Sequence, residues 1–415
     1  MSERPGARAW LSLRHLACIR IHSKASIQYR SRGCQVRNEG TYALTARSLE
    51  NDRRTMTALA RGKSKLTSHQ LAALLGVSQS AVSRAFTPGS SISAKLRARV
   101  LSGAEKFGYQ PNAIASMLAT KRTNMVGIVV SEMRNPFYPV LIEKLTQELQ
   151  GIGLQSLLFN VTPGARIEEQ LAAIHIYDVD AIVVVSATIL SERALAWASE
   201  GRRTILLNRQ SNEELTTICV DNTAGSRAAV DHFHAIGRKR IGYVAGLTKT
   251  AIGVGRQGAF LTRLAECGLT LAGICSDEAY TYEAGWKAAI ELLKYKPDAI
   301  QFASDILALG GIDALKARGI DVPGDLAVAG FDDIEMASWP HYSLTTYRQP
   351  IDELVAAVVA RIADPTIDPA AFEHVTLPGK LIQRQSTAVP MPSSDQLCCK
   401  RRADQGESAR TWNEG

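Results

Sequence analysis

The sequence predicts an α plus α/β protein: a small three-helix helix-turn-helix headpiece, a short hinge helix, then a two-lobed α/β domain built on parallel sheets. Three observations point there. Short capped helices crowd residues 67–107, strand-length apolar runs alternate with amphipathic helices from Met125 onward, and the charge is unevenly divided along the chain. The 415 residues, 46% hydrophobic, suffice to bury more than one core.

The division of charge bears on partners. Residues 1–66 carry 14 Lys/Arg against 4 Asp/Glu and residues 67–124 carry 7 against 1, whereas residues 125–415 carry 27 against 35. A polyanion is therefore expected to bind the front of the chain and not the back. The seven cysteines include no Cys-x-x-Cys pair, which argues for a reducing cytoplasm and no metal cage. The longest apolar runs, such as 181–185, fall far short of the ~20 residues a membrane helix requires. The first 55 residues are rich in Arg and Ser, and Arg14, His15 and Arg20 interrupt their only apolar stretch, so no secretory signal is supported. Residues 1–63 are expected to be a disordered or mis-assigned extension, with Met56 as the genuine start.

The first helix opens at Thr67, which forms a capping box with Gln70 and ends at Gly76. Ser78 caps a second helix over Gln79–Phe86 after a three-residue turn. A third runs from Ser93 to Phe107, with Leu96, Val100, Leu101 and Ala104 on one face, and Gly108 stops it. Residues 111–120 give one more short helix before the basic link Lys121-Arg122. Strand-length runs follow at 125–130, 154–159, 181–185, 204–207, 241–245, 299–302 and 326–330, separated by amphipathic helices. Such alternation implies parallel sheets covered on both faces, and its length implies two lobes. The polar stretch 391–415 reads as a disordered tail.

In a helix-turn-helix the second helix enters the major groove and its N-terminal side chains reach base edges. Here those are Gln79, Ser80, Ser83 and Arg84. Gln pairs bidentately with adenine, Arg takes guanine or phosphate, and serines take either. Thr67 and Ser78, which cap the two helices, are also expected to contact DNA, while Ala72, Leu75, Val77, Val82 and Phe86 read as core.

The stretch 66–86, together with Tyr109-Gln-Pro-Asn-Ala-Ile-Ala-Ser-Met-Leu118, resembles the headpiece and hinge of the lactose-repressor/galactose-repressor family of transcriptional regulators. The resemblance continues through Asn135-Pro-Phe-Tyr138, Val220-Asp-Asn222, Ser304-Asp-Ile-Leu-Ala-Leu-Gly310, Gly330-Phe-Asp-Asp333 and Leu344-Thr-Thr346, covering residues 65–388. It implies that Gln79 and Ser80 are the chief base readers and Arg84 the next. It implies also that Leu118 wedges into the minor groove at the operator centre, flanked by contacts from Asn112 and Ala115. Read from its residues alone, Leu118 is more often a plain core leucine. Ser116 and Met117 stand where the family more often has basic residues or Gln, which implies fewer phosphate contacts in the hinge.

The remaining chain resembles a periplasmic sugar-binding architecture, in which a ligand is clamped at the carboxyl ends of the strands of two lobes. The resemblance assigns the acidic ligand to Asp305 and the arginine to Arg256, with Phe137 and Tyr138 from the first lobe and Tyr282 from the second as aromatic borders. Asp221, Asn208 and Arg209 are placed near the crossover or at a strand end. The implied effector is a sugar or sugar derivative, and its binding shifts a population of lobe arrangements that sets the spacing of two headpieces.

A periplasmic binding protein shares the lobes but not residues 66–120. An enzyme finds no support in a Walker A loop, His-Glu-x-x-His or Gly-x-Ser-x-Gly, and Gly253-Val-Gly-Arg-Gln-Gly258 mimics a dinucleotide fingerprint only in spacing, after a sixth strand. The expected organisation is therefore an extension over 1–63, a headpiece with hinge over 64–124, an effector-binding and dimerisation domain over 125–390 and a tail over 391–415. No cofactor or metal is expected. One recognition helix reads only a few base pairs, so a homodimer on a palindromic double-stranded operator is expected, with no membrane contact.

Overall fold

The computed structural model describes residues 66–87, 89–111, 122–131, 133–161, 174–185, 191–211, 214–368 and 371–388. The expected extension, the hinge residues Asn112, Ala115 and Leu118, and the tail lie outside the described residues. The chain divides into two compact units, 1–113 and 114–415.

The first unit contains α1 (Ser68–Leu75), α2 (Gln79–Phe86) and α3 (Ala94–Phe107). The local chemistry that starts and stops them is the one the residues predict. Gln70 N donates to Thr67 Oγ1 at 3.3 Å while Thr67 N donates to Gln70 Oε1 at 2.9 Å, closing the capping box. Gly76 and Gly108 end α1 and α3 at φ of 60° and 64°, where a side chain would be strained. Leu71, Val82, Ala85, Val100 and Ala104 make the buried centre, with Leu75, Val77 and Phe86 packed partly against it. Leu101 corrects its expectation: it is 41% exposed, because the buried stripe of α3 runs through Val100, Gly103 and Ala104 and turns position 101 outward. Arg97 ties α3 to the end of α2 through Ala85 O at 3.1 Å and Thr87 O at 3.2 Å.

The second unit has two lobes. β1 (Met125–Val130), α4 (Phe137–Gly151), β2 (Gln155–Asn160), β3 (Ala181–Val184), α5 (Ser191–Ser199), β4 (Arg203–Leu207) and β5 (Thr216–Val220) belong to the first. The chain then crosses, and α6 (Asn222–Ala235), β6 (Arg240–Ala245), α7 (Ala251–Glu266), β7 (Thr270–Ser276), α8 (Tyr282–Leu292), β8 (Ala299–Phe302), α9 (Asp305–Lys316), β9 (Ala327–Asp332) and β10 (Thr345–Arg348) build the second. α10 (Ile351–Ala363) and β11 (His374–Leu377) return to the first lobe, and β12 (Lys380–Ile382) ends in the second. The sheet orders are β11-β5-β4-β3-β1-β2 and β12-β10-β9-β8-β6-β7. Every paired strand is parallel except β12 against β10. The central strands are buried along their length, as Ala181–Val184 and Ala327–Asp332 are, which is why they read as unbroken apolar runs and not as alternations. β5, β7, β10, β11 and β12 do not stand out as such runs. The three crossings bring the carboxyl ends of both sheets to one cleft.

Candidate DNA-reading face and ligand cavity

In the first unit, Ser78 Oγ accepts from Ala81 N at 3.1 Å and fixes the start of α2. The inner side of α2 is closed by Val82 and Ala85, both buried, so the remaining helical positions must face outward. Gln79, Ser80, Ser83 and Arg84 are all exposed. Gln79 Nε2 donates to Ser68 Oγ at 3.2 Å, and Ser78 and Ser80 share a hydroxyl contact at 2.9 Å, bonds that water or a base edge could replace. Thr67 and Ser78 are also exposed, at the N-termini of α1 and α2, whose backbone N–H groups favour anions. Neither first turn holds an acidic residue, and Glu105 is the single acid among residues 66–111.

In the second unit, a small cavity lies between the lobes. Asn135, Phe137, Tyr138 and Asn208 line it from the first lobe; Thr250, Ile252, Arg256, Tyr280, Ser304 and Asp332 line it from the second. All follow or begin close to the carboxyl end of a parallel strand, the place where open α/β sheets bind ligands.

Arg256 is put there by helical periodicity. Ile252, Arg256, Phe260 and Leu264 recur every four residues on the buried face of α7, and the guanidinium, 4% exposed, takes the place of an apolar side chain in that stripe. It does not lie there unpaired. Nε donates to Asn222 Oδ1 and Nη1 to Ala303 O, both at 2.7 Å, and Cζ sits 3.5 Å over the Phe331 ring centroid.

Asp332 ends β9 with φ at 134°, and Asn208 follows β4 at φ 53°. Backbone in these regions costs ~1–3 kcal/mol for a residue other than glycine and collects at functional sites. Gln349 Nε2 donates to Asp332 Oδ1 at 2.6 Å, whereas Asp332 Oδ2, Ser304 Oγ and Asn208 Oδ1 are buried with no hydrogen-bond partner. Ser304 and Asn135 face the Asp332 carboxyl and favour its charge, but neither completes a bond to Oδ2. Burial raises the pKa of Asp332, against the opposing pull of Arg256. Three polar atoms without partners around one cavity imply a polar partner that the protein does not itself supply.

Two residues expected in the cavity lie elsewhere. Asp305, the first residue of α9, is fully buried beneath it: Oδ1 accepts from Thr346 Oγ1 at 2.6 Å and Oδ2 from Ile334 N at 3.0 Å. Burial, and secondarily the charge of Asp332, push its pKa up to about 8. The acid that reaches the cavity is Asp332, within the Gly330-Phe-Asp-Asp333 motif. Tyr282 donates instead to Asp313 Oδ2 at 2.8 Å, and the second-lobe aromatic at the cavity is Tyr280. A side chain at Gly246 would fall within 2.1 Å of the Tyr280 ring, so the glycine is what admits that tyrosine. Phe137 and Tyr138 line the cavity, packed edge to face at 5.4 Å, and so does Asn208. Asp221 caps α6 through Ala224 N at 2.8 Å and does not line the cavity, nor does Arg209. Ser304, Asn135 and Asp332 all sit in motifs visible in the sequence; which residue of each motif turns inward was not.

Residues 230–387 match the family described as periplasmic binding protein-like domain. The HTH-type transcriptional regulator CelR of Thermobifida fusca is 30% identical over 342 residues, covering 77% of this chain and 98% of that protein. A solved lac repressor dimer, bound to operator and the anti-inducer ONPF, superposes with a TM-score of 0.71 over 78% of this chain and 99% of that one; at 23% identity it shows the fold. A CelR–cellobiose complex superposes with a TM-score of 0.58 at 27% identity, over 78% of this chain and all of that one.

Proposed function

Because the chain belongs to the lactose-repressor/galactose-repressor family of helix-turn-helix transcriptional regulators, we propose that it is a repressor of catabolic genes that grips a palindromic operator as a homodimer and is set by a sugar held between its lobes. The observation that carries the reading is the outward face of α2. Gln79, Ser80, Ser83 and Arg84 stand exposed together on a helix whose opposite side is closed by Val82 and Ala85. Gln79 and Arg84 supply the bidentate fork geometry that distinguishes base edges, and the serines and helix starts hold phosphates. In the same reading Leu118, flanked by Asn112 and Ala115, is the minor-groove wedge.

The cavity supports the second half of the reading. A polyol offers hydroxyls that both donate and accept. Asp332 Oδ2 and Asn208 Oδ1 take a hydroxyl proton, Ser304 Oγ gives or takes one, Arg256 donates, and Phe137, Tyr138 and Tyr280 border the C–H faces. Since the lining comes from both lobes, a ligand favours one lobe arrangement over another, which is the requirement for changing operator affinity. The curated relatives that carry the resemblance are regulators and not enzymes. Among the described residues no helix is long and apolar enough to cross a membrane, and the reading places the protein in the cytoplasm with its DNA.

Selection of sites from random duplex DNA tests it. A palindromic consensus is expected, enriched less strongly, or more strongly, once the matching sugar is added. Failure to enrich any sequence would overturn the operator reading.

A further inference from the structure

The inner cavity does not end at Asp332. On the other side of that carboxyl lies an outer cavity of about 460 Å³, against about 20 Å³ for the inner one. As the lobes stand, the inner space holds about one water, whereas the outer space alone falls within the ~300–1,000 Å³ of small-ligand sites. Gln349 and Ile351 wall it at the start of α10, Val140 and Lys144 on α4, and Pro378 and Lys380 in the last crossing.

Where the two cavities meet, Gln349 Nε2 donates to Asp332 Oδ1 at 2.6 Å. Each partner keeps one buried atom unsatisfied, Gln349 Oε1 and Asp332 Oδ2, in residues only 2% and 4% exposed. Asp332 borders both cavities. The pair is therefore itself an unfinished polar site, with acceptors left over for hydroxyls.

The charges at the outer cavity select the ligand class. Four acids line it, Asp332, Asp333, Asp352 and Glu353, against three cations, Lys144, Arg348 and Lys380, and two of the cations are paired: Lys144 Nζ lies 2.6 Å from Asp352 Oδ1, and Arg348 Nε lies 2.5 Å from Asp333 Oδ2. A phosphorylated ligand would enter this excess of acids and approach the Asp332 carboxyl. A neutral polyol carries no charge for them to repel, and Val140, Ile351 and Pro378 offer apolar surface to its C–H faces.

Resting on the sugar-effector reading above, we propose that the effector is a neutral glycoside of at least two sugar units, one ring in the inner compartment and the next in the outer. The Asp332–Gln349 pair lies at the linkage. The lobes part to admit the inner ring, while the outer compartment is open in the described arrangement.

Calorimetric titration of the full chain with glucose, galactose, cellobiose, maltose, lactose and glucose 6-phosphate tests this. At least one disaccharide is expected to bind about tenfold or more tightly than its component monosaccharides and than the phosphate. Val140→Trp, at a half-exposed position that projects beside the outer compartment, is expected to weaken that disaccharide by about tenfold and leave monosaccharide binding within about twofold. A monosaccharide or its phosphate binding as tightly as every disaccharide would overturn the proposal, as would equal weakening of both classes by Val140→Trp or no weakening of the disaccharide. Binding of no saccharide by a protein that still selects operator DNA would instead remove the sugar-effector reading itself, and this proposal with it.

Discussion

Arg256 Nε donates to Asn222 Oδ1 at 2.7 Å, and Asn222 is the first residue of α6, where the chain crosses from one lobe to the other. The cation at the cavity is thus bonded to the crossing. A ligand that draws on the guanidinium also draws on the element that relates the lobes.

Arg256→Lys keeps a charge but loses the planar fork that serves Asn222 and Ala303 together. The expected result is loss of effector response with operator affinity retained. Chemical denaturation should show a loss of about 1.5–3 kcal/mol, the range for a hydrogen bond to a charged group. An unchanged sugar response in operator titrations would contradict the assignment.

Gln79→Ala removes the bidentate reader at the start of α2 without touching Val82 or Ala85. Operator affinity should fall by about 1–3 kcal/mol and discrimination should relax at one base position in each half-site, as read by competition binding. Binding of nonspecific duplex should change little.

The buried Asp305 makes stability depend on pH in a direction opposite to that of a surface salt bridge. Its folded pKa of about 8 lies above the ordinary carboxylate value of 3.8, so between these limits the folded state holds a proton that the unfolded chain has released. The contribution is therefore most favourable at low pH and is lost as pH rises from about 4 to about 8. Asp305→Asn can donate to Thr346 Oγ1 and accept from Ile334 N, the partners of the native carboxyl. The unfolding free energy of the variant should fall less steeply as pH rises over this range; parallel pH profiles would argue against a protonated Asp305.

Gly225 lies on α6 under the ring on which Arg256 stacks. A Cβ there would come within 2.5 Å of Phe331 and 2.6 Å of Tyr347. Gly225→Ala should destabilise by about 1–3 kcal/mol through overpacking and blunt the effector response by shifting Phe331. Thermal unfolding and sugar-dependent operator release, measured together, check both parts.

The headpiece was legible almost residue by residue, because its determinants are local. Thr67 with Gln70, Ser78 and the two αL glycines act within four residues of where they stand. The parallel sheets were legible as buried apolar runs, and the family resemblance pointed to Arg256, Phe137 and Tyr138, which line the cavity. β7, β11 and β12, less fully buried, left a weaker pattern, and the buried β5 and β10 open on threonine pairs that break the apolar run.

What only the tertiary structure decided was which of several neighbouring polar residues faces the cavity. Asp305 and Asp332 are both acids next to a strand end and both buried, and sequence pattern does not rank them. The choice is made where β9 turns at Asp332 with φ 134° and aims that carboxyl into the cleft, while Thr346 and Ile334, distant in sequence, hold Asp305 beneath it. Tyr280 over Tyr282 is decided in the same way, by a gap that Gly246 leaves just past the end of β6. Caps and apolar periods are encoded over a few residues, whereas a cavity wall is assembled from strand ends about a hundred residues apart, and its facing depends on the packing of all of them at once.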